Sequence, residues 1–196
     1  MRFKAATVFA AAALFSAGAA AQPAANDARA SELLGRVAAR FDAMPGYTVR
    51  FEVRSTEGAV CGEYSVEGDR YHIAVAGNEV YGDDRVRREI DAAKREIVVD
   101  AADTASRNIL TNPTRAFRFL DGDYTAALVS EDSAYAVVML TPRDGAPGRI
   151  TVTLAVASAR PEVVAYDMEG ERVAVGILGI EPGGSVGVCE PENYEG

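Results

Sequence analysis

Two periodicities divide this chain. From Asp27 to Met44 the apolar residues Leu33, Leu34, Val37, Ala38, Phe41 and Met44 recur at three- and four-residue steps, which predicts a helix with one apolar face. Asn26 or Asp27 can cap its start, and Pro45-Gly46 stops it. The period then drops to two. Tyr47, Val49, Phe51 and Val53 alternate with Thr48, Arg50, Glu52 and Arg54, the pattern of a strand with one wet face. Further strands are expected over 59–66, 70–75, 79–81, 85–90 and 97–100, separated by turn residues such as Glu57-Gly58 and Glu67-Gly68-Asp69. A helical insert follows: a weak helix over Thr104–Leu110, then a second opened by Asn112-Pro113 and running to about Leu120. Strands resume over 124–129, 134–141, 150–156, 162–168 and 172–180. Val137 to Leu140 is apolar at every position, which predicts a strand covered on both faces.

Connections this short favour antiparallel neighbours, since a parallel pair needs a long crossover. About ten strands exceed what one flat sheet usually holds. The expected fold is therefore α+β and mainly β. It is a strongly curved antiparallel sheet, an unclosed half-barrel, with the N-terminal helix and the helical insert lying on its concave face.

The first residues add an address. Arg2 and Lys4 precede an apolar stretch from Ala5 through Phe15, and Ala19-Ala20-Ala21 offers small residues before Gln22, the three parts of a cleaved secretory signal. Residues 1–21 are thus read as a signal peptide and 22–196 as one domain, with an acidic Gly/Pro-rich tail from about 181. The formal net charge of −9 becomes more negative once Arg2 and Lys4 leave. An acidic surface repels phosphate backbones, which argues against nucleic acid as a partner. Cys61 and Cys189 are the only cysteines. In an oxidising compartment they most simply form one disulfide, with two free thiols as the alternative. Together with a single histidine, far apart in sequence, they supply no metal-ligand spacing, and no cofactor is expected.

Several stretches carry a resemblance. Gly62-Glu63-Tyr64-Ser65-Val66-Glu67-Gly68-Asp69-Arg70-Tyr71 is similar to a glycine-led strand, turn and aromatic-led strand of the LolA-like periplasmic outer-membrane lipoprotein carriers. Tyr81-Gly82-Asp83-Asp84 lies where that family has a tight Asp-Gly turn. Asn112-Pro113 followed by Gly122-Asp123-Tyr124 resembles its central helix-to-strand segment, and Val137-Val138-Met139-Leu140-Thr141-Pro142 resembles its strand ending in Leu-Thr-Pro. Two features depart from the family. Gly68-Asp69 stands where many carriers have Arg-Pro, and the chain has no Trp, with Arg87 near the usual position. The resemblance implies a monomeric periplasmic carrier, not an enzyme, that shelters lipoprotein or other lipid acyl chains. Its partners would be an inner-membrane releasing complex and an outer-membrane acceptor. An alternative is a periplasmic sensor or protein-binding module built on the same fold.

A carrier of acyl chains needs a dry concave wall and a movable lid. The candidate wall is Val49, Phe51 and Val53; Tyr64 and Val66; Tyr71, Ile73 and Val75; Val138 and Leu140; Val152 and Leu154. The candidate lid is Leu34, Phe41, Phe117 and Leu120. The bland alternative is an ordinary core, since any one-sided sheet alternates this way. His72 alternates with Tyr71 and Ile73, which places it on the wet face rather than in a catalytic role. Asp83-Asp84 reads as a solvated turn. Arg85, Arg87 and Arg88 read as a basic edge that blunts an exposed strand. No serine lies in a G-x-S-x-G setting.

Overall fold

The structure, a computed structural model, describes residues 27–56, 58–106, 108–119, 122–168 and 171–187. The signal segment, Leu120 and Cys189 lie outside the described residues, so the expected cleavage and the Cys61–Cys189 pairing are not addressed by it. Cys61 itself is exposed.

One helix, α1 (Ala28–Asp42), precedes six strands: β1 (Gly46–Ser55), β2 (Gly58–Glu67), β3 (Arg70–Val75), β4 (Asn78–Gly82), β5 (Val86–Asp91) and β6 (Glu96–Ala101). Five more follow: β7 (Tyr124–Glu131), β8 (Tyr135–Pro142), β9 (Arg149–Ala155), β10 (Arg160–Met168) and β11 (Glu171–Pro182). All eleven form one antiparallel sheet in the order β6-β5-β4-β3-β2-β1-β11-β10-β9-β8-β7. The sheet is unclosed, with β6 and β7 as its two edges. Each run of strands is a meander, and the long β1–β11 ladder joins the two runs.

The sheet curves around the residues between β6 and β7. Tyr71 of β3 and Tyr166 of β10 lie four strand positions apart, about 19 Å on a flat sheet at about 4.8 Å per step. Yet both hydroxyls reach one turn: Tyr71 donates to Thr111 O at 3.3 Å, and Tyr166 accepts from Ile109 N at 3.0 Å. That turn is tight, with Thr111 N and Asn112 N both bonded to Asn108 O. Both side chains thus converge on one turn from the same face of the sheet.

Segment 102–123 therefore leaves one sheet edge, crosses the concave face and enters the other edge. It covers that face as expected, but not as two helices. Its only helical piece among the described residues is a 3-10 turn, Pro113–Arg115. Local side chains take the backbone donors that a helix would use. Asp103 Oδ1 accepts from Ala105 N and Ser106 N, Ser106 Oγ from Asn108 N, and Asn108 Oδ1 from Leu110 N. The strand β8 also differs from expectation. Ala136, Val138 and Leu140 are buried, while Val137 and Met139 are only half-buried on the convex face.

The helix α1 fills the rest of the hollow. Asp27 caps it by accepting from Arg29 N and Ala30 N, and Asp27 N donates to Ala126 O of β7. Ala30, Leu33, Leu34, Val37 and Phe41 are buried against the sheet. Its polar ties, Arg29 to Glu131, Arg36 to Ala157 O and Arg118 to Asp42, are exposed. Exposed pairs contribute about 0–1 kcal/mol each, whereas burying a Leu, Val or Phe contributes about 1.5–3 kcal/mol. The apolar stripe, not the salt bridges, holds the helix.

Candidate functional site: the concave wall and its cover

The wall residues sit in register. Val49, Tyr64 and Ile73 form one row across β1, β2 and β3, and Val66 with Tyr71 belongs to the next. On the other half, Val138 pairs with Val152 and Val152 with Val164, while Leu154 faces Ala136. Val49, Phe51, Tyr64, Val66, Tyr71, Ile73, Val138, Leu140, Val152 and Leu154 are all buried in one cluster, with Val53 and Val75 packed half-buried against it. Of the lid candidates, Leu34 and Phe41 come from α1 and Phe117 from the cover segment. Phe41 stacks on Phe117 with centroids 3.9 Å apart and meets Tyr47 edge-on at 4.9 Å. Ile109 and Phe119 of the cover are equally buried. Sequence reading passed over both because neither falls on a regular period.

Two glycines shape the wall. Gly62 faces Phe51 and Gly82 faces Tyr71 across their ladders. A Cβ on Gly82 would stand 2.2 Å from Tyr71 Cζ, and one on Gly62 would stand 2.6 Å from Phe51 Cζ. Each ring thus lies over a glycine instead of projecting into the hollow, which leaves room for α1. Gly82→Ala is expected to displace the Tyr71 ring, break its bond to Thr111 and cost about 1–3 kcal/mol, read by thermal unfolding.

Among the described residues the wall is packed under α1 and the cover segment. A cleft of about 350 Å³ lies at the β7–β10 end of the cover, with Tyr124, Ile150 and Tyr166 on its apolar side and Asp103, Ser106 and Asn108 on its polar rim. That size lies at the low end of small-molecule sites, about 300–1,000 Å³. Smaller clefts of about 200 and 130 Å³ touch Tyr71, and Val66 with Phe41 and Phe117, respectively.

The wall's polar atoms are phenols. Tyr47 donates to Pro113 O at 3.3 Å, so Tyr47, Tyr71 and Tyr166 all fasten the cover segment. Tyr64 differs: it is fully buried, and its hydroxyl has no hydrogen-bond partner among the described residues. A buried orphan of this kind costs about 1–3 kcal/mol. Burial pushes the phenols of Tyr47, Tyr64 and Tyr166 well above their ordinary range, and that of Tyr71 upward.

Outside the wall the polar residues have structural partners. His72 lies on the convex face, stacked on Tyr81 and 3.1 Å from Glu79 Oε2. Asp83 closes a turn by accepting from Arg85 N and Val86 N, and these bonds, Val86's the larger, hold its carboxyl below the usual range. Arg87 pairs with Glu89 at 2.9 Å. Among the described residues no group of three or more His, Cys, Asp or Glu is placed to hold a metal, and no helix is long and apolar enough to cross a membrane.

No family model and no curated protein matches this chain. Solved structures do. An uncharacterized conserved protein from Thermus thermophilus matches 81% of this chain and 90% of its own, with a TM-score of 0.56 at 9% identity. A LolA superfamily protein from Nitrosomonas europaea matches over 80% of this chain and 94% of its own, with a TM-score of 0.41 at 11% identity. MucB of Pseudomonas aeruginosa, in its complex with MucA, matches over 82% of this chain at a TM-score of 0.42 and 19% identity, and only 59% of that chain is covered. At these identities the likeness is one of fold. The architecture, a single unclosed antiparallel sheet with one α-helix among the described residues, is the fold shared with the Thermus thermophilus protein.

Proposed function

We propose that this protein is an exported carrier that shelters acyl chains of lipoproteins or other lipids between its concave wall and a movable cover. The observation that carries the reading is the cover itself. The segment between the two free edges of the sheet lies on the wall, and its polar fastenings in the described residues include three phenol bonds of 3.0–3.3 Å. A neutral hydrogen bond contributes a net of about 0.5–1.5 kcal/mol, so these bonds set the cover's position, while burial of Ile109, Phe117 and Phe119 holds it closed. Each methylene taken from water onto the uncovered wall is worth about 0.8 kcal/mol, enough to compensate displaced side chains. The cleft of about 350 Å³ beside the cover is the entry. The N-terminal signal pattern supports a periplasmic location; loading from an inner-membrane complex and delivery to an outer-membrane acceptor complete the proposed cycle. The chemistry requires no catalytic group.

Mass spectrometry of gently purified protein is expected to show co-purified acyl lipid, and a long-chain apolar fluorophore is expected to bind the delipidated protein. Absence of both would overturn the reading.

One observation favours the second reading, a protein-binding module. The edge strand β6 exposes Val98 and Val99 at 49% and 60% on its two faces. An extended partner segment pairing there would protect amides 96–101 from hydrogen exchange, without lipid.

A further inference from the structure

We propose that the Tyr64 hydroxyl is the fixed donor for the carbonyl oxygen of a neutral fatty-acyl ester or amide admitted when the cover lifts. The inference rests on the carrier reading and adds the polar half of the ligand to it.

Position comes first. Tyr64 stands on β2 between Val49 and Ile73, at 0% exposure, with the rings of Tyr47 and Phe51 at 6.3 and 5.9 Å. Its ladder partners Val49 and Ile73 offer only hydrocarbon, and no hydrogen bond reaches its hydroxyl from the described residues. Only two other buried side-chain atoms in the described residues lack partners, Arg87 Nε and Arg160 Nε. Both belong to guanidinium groups already bonded elsewhere, to Glu89 and to Ile177 O. Of these three atoms, only Tyr64 Oη belongs to a side chain with no polar contact at all.

The comparison with its own wall sharpens this. Three other concave phenols, Tyr47, Tyr71 and Tyr166, each meet the cover backbone. Phe51, one row away beside Gly62, is fully buried in the same cluster and carries no hydroxyl. A phenol where phenylalanine would pack equally well is a donor left open in the closed state. Lifting the cover exposes it to whatever replaces the cover. An acyl chain brings one polar group next to its methylenes, the carbonyl of its ester or amide linkage, and a phenol O–H is a matched donor for it.

Charge selects among acyl ligands. Among the described residues, the side chains beside Tyr64 are Val49, Ile73, Tyr47 and Phe51, and none of them is a cation. An ionised fatty acid or a phosphate would be buried here without a counter-charge, at high cost. A neutral carbonyl carries no such penalty.

The test uses delipidated protein, wild type and Tyr64→Phe, and displacement of an apolar fluorophore by probes of one chain length: a monoacylglycerol ester, the matching alkyl-glycerol ether and the matching N-acyl ethanolamide. In the wild type the carbonyl probes are expected to bind about two- to tenfold tighter than the ether, the worth of one neutral hydrogen bond. In Tyr64→Phe that preference is expected to vanish with ether binding unchanged. A larger gain for the amide points to N-acylated protein as cargo, and a larger gain for the ester to a glycerolipid. Tyr64→Phe without ligand is expected to melt about 2–4 °C higher, because it removes the orphan. A carbonyl preference that survives in Tyr64→Phe overturns the assignment and leaves the carrier standing. A lower melting point does the same, since it means that the phenol is satisfied in the closed protein. No binding of any probe to the wild type removes both.

Discussion

Phe117→Ala is expected to destabilise the protein by about 3–5 kcal/mol and, at the same time, to raise its apparent affinity for a long-chain apolar probe. The stability term is that of a fully buried phenylalanine removed from a packed interior. Phe117 is 2% exposed, stacked on Phe41 of the helix and edge-on to Phe119 at 6.3 Å. It is the point where the two parts of the lid touch each other. The affinity term follows if the closed cover competes with cargo. Apparent affinity scales with the fraction of molecules whose cover is open. Every 1.4 kcal/mol removed from the closed state alone raises that fraction about tenfold, until opening saturates. The gain is therefore bounded at about 10²–10⁴-fold, and a tenfold gain requires only that about a third to a half of the lost stability fall on closure. A solid core makes the opposite prediction: a lower melting temperature with no change in long-chain binding. The probe must be a long chain, since an alanine-sized cavity by itself accepts only a benzene-sized molecule. Chemical denaturation and probe titration on the same preparation separate the two.

The strands were legible because each is a one-sided ladder. Tyr47, Val49 and Phe51, or Tyr71 and Ile73, alternate cleanly, and the turns between them carry Gly and Asp. The helix α1 was legible for the same reason at its own period. Segment 102–123 was not. Its apolar residues Ile109, Ala116, Phe117 and Phe119 are buried without a period, because they plug a hollow shaped by other elements rather than one face of their own. Its Asp, Ser and Asn residues look like helix caps in sequence and act as turn closers in space. The sheet order, too, had to come from the structure. Local hairpins follow from short turns, but the β1–β11 ladder pairs residues more than a hundred positions apart, and no local signal specifies it. Alternation places the wall residues on one face of their strands. That this face is packed under α1 rather than open to an empty space is a property of the closed state, which alternation cannot report.

The same wall makes alkaline pH a sharp probe of closure. Tyr47, Tyr64 and Tyr166 are held neutral by burial, with their folded values well above the ordinary value of 10.0. The unfolded chain releases these protons near pH 10 and the folded chain does not. The folded state thus binds more protons, so its stability is fully present below pH 10 and is lost as pH rises toward the folded values. Each phenol contributes a slope of about 1.4 kcal/mol per pH unit once the unfolded form has ionised. Three approach about 4 kcal/mol per pH unit, a large fraction of the 5–15 kcal/mol total of an ordinary domain. Denaturant midpoints are expected to be insensitive to these groups below about pH 9 and to fall steeply above pH 10. Tyrosinate absorbance should show the exposed tyrosines titrating first and the buried set only together with unfolding or opening. Tyr166→Phe should remove about a third of the slope while deleting the bond to Ile109. If the buried phenols titrate near pH 10 with the fold intact, water already reaches the wall, and the closed, dry interior described above is not the resting state.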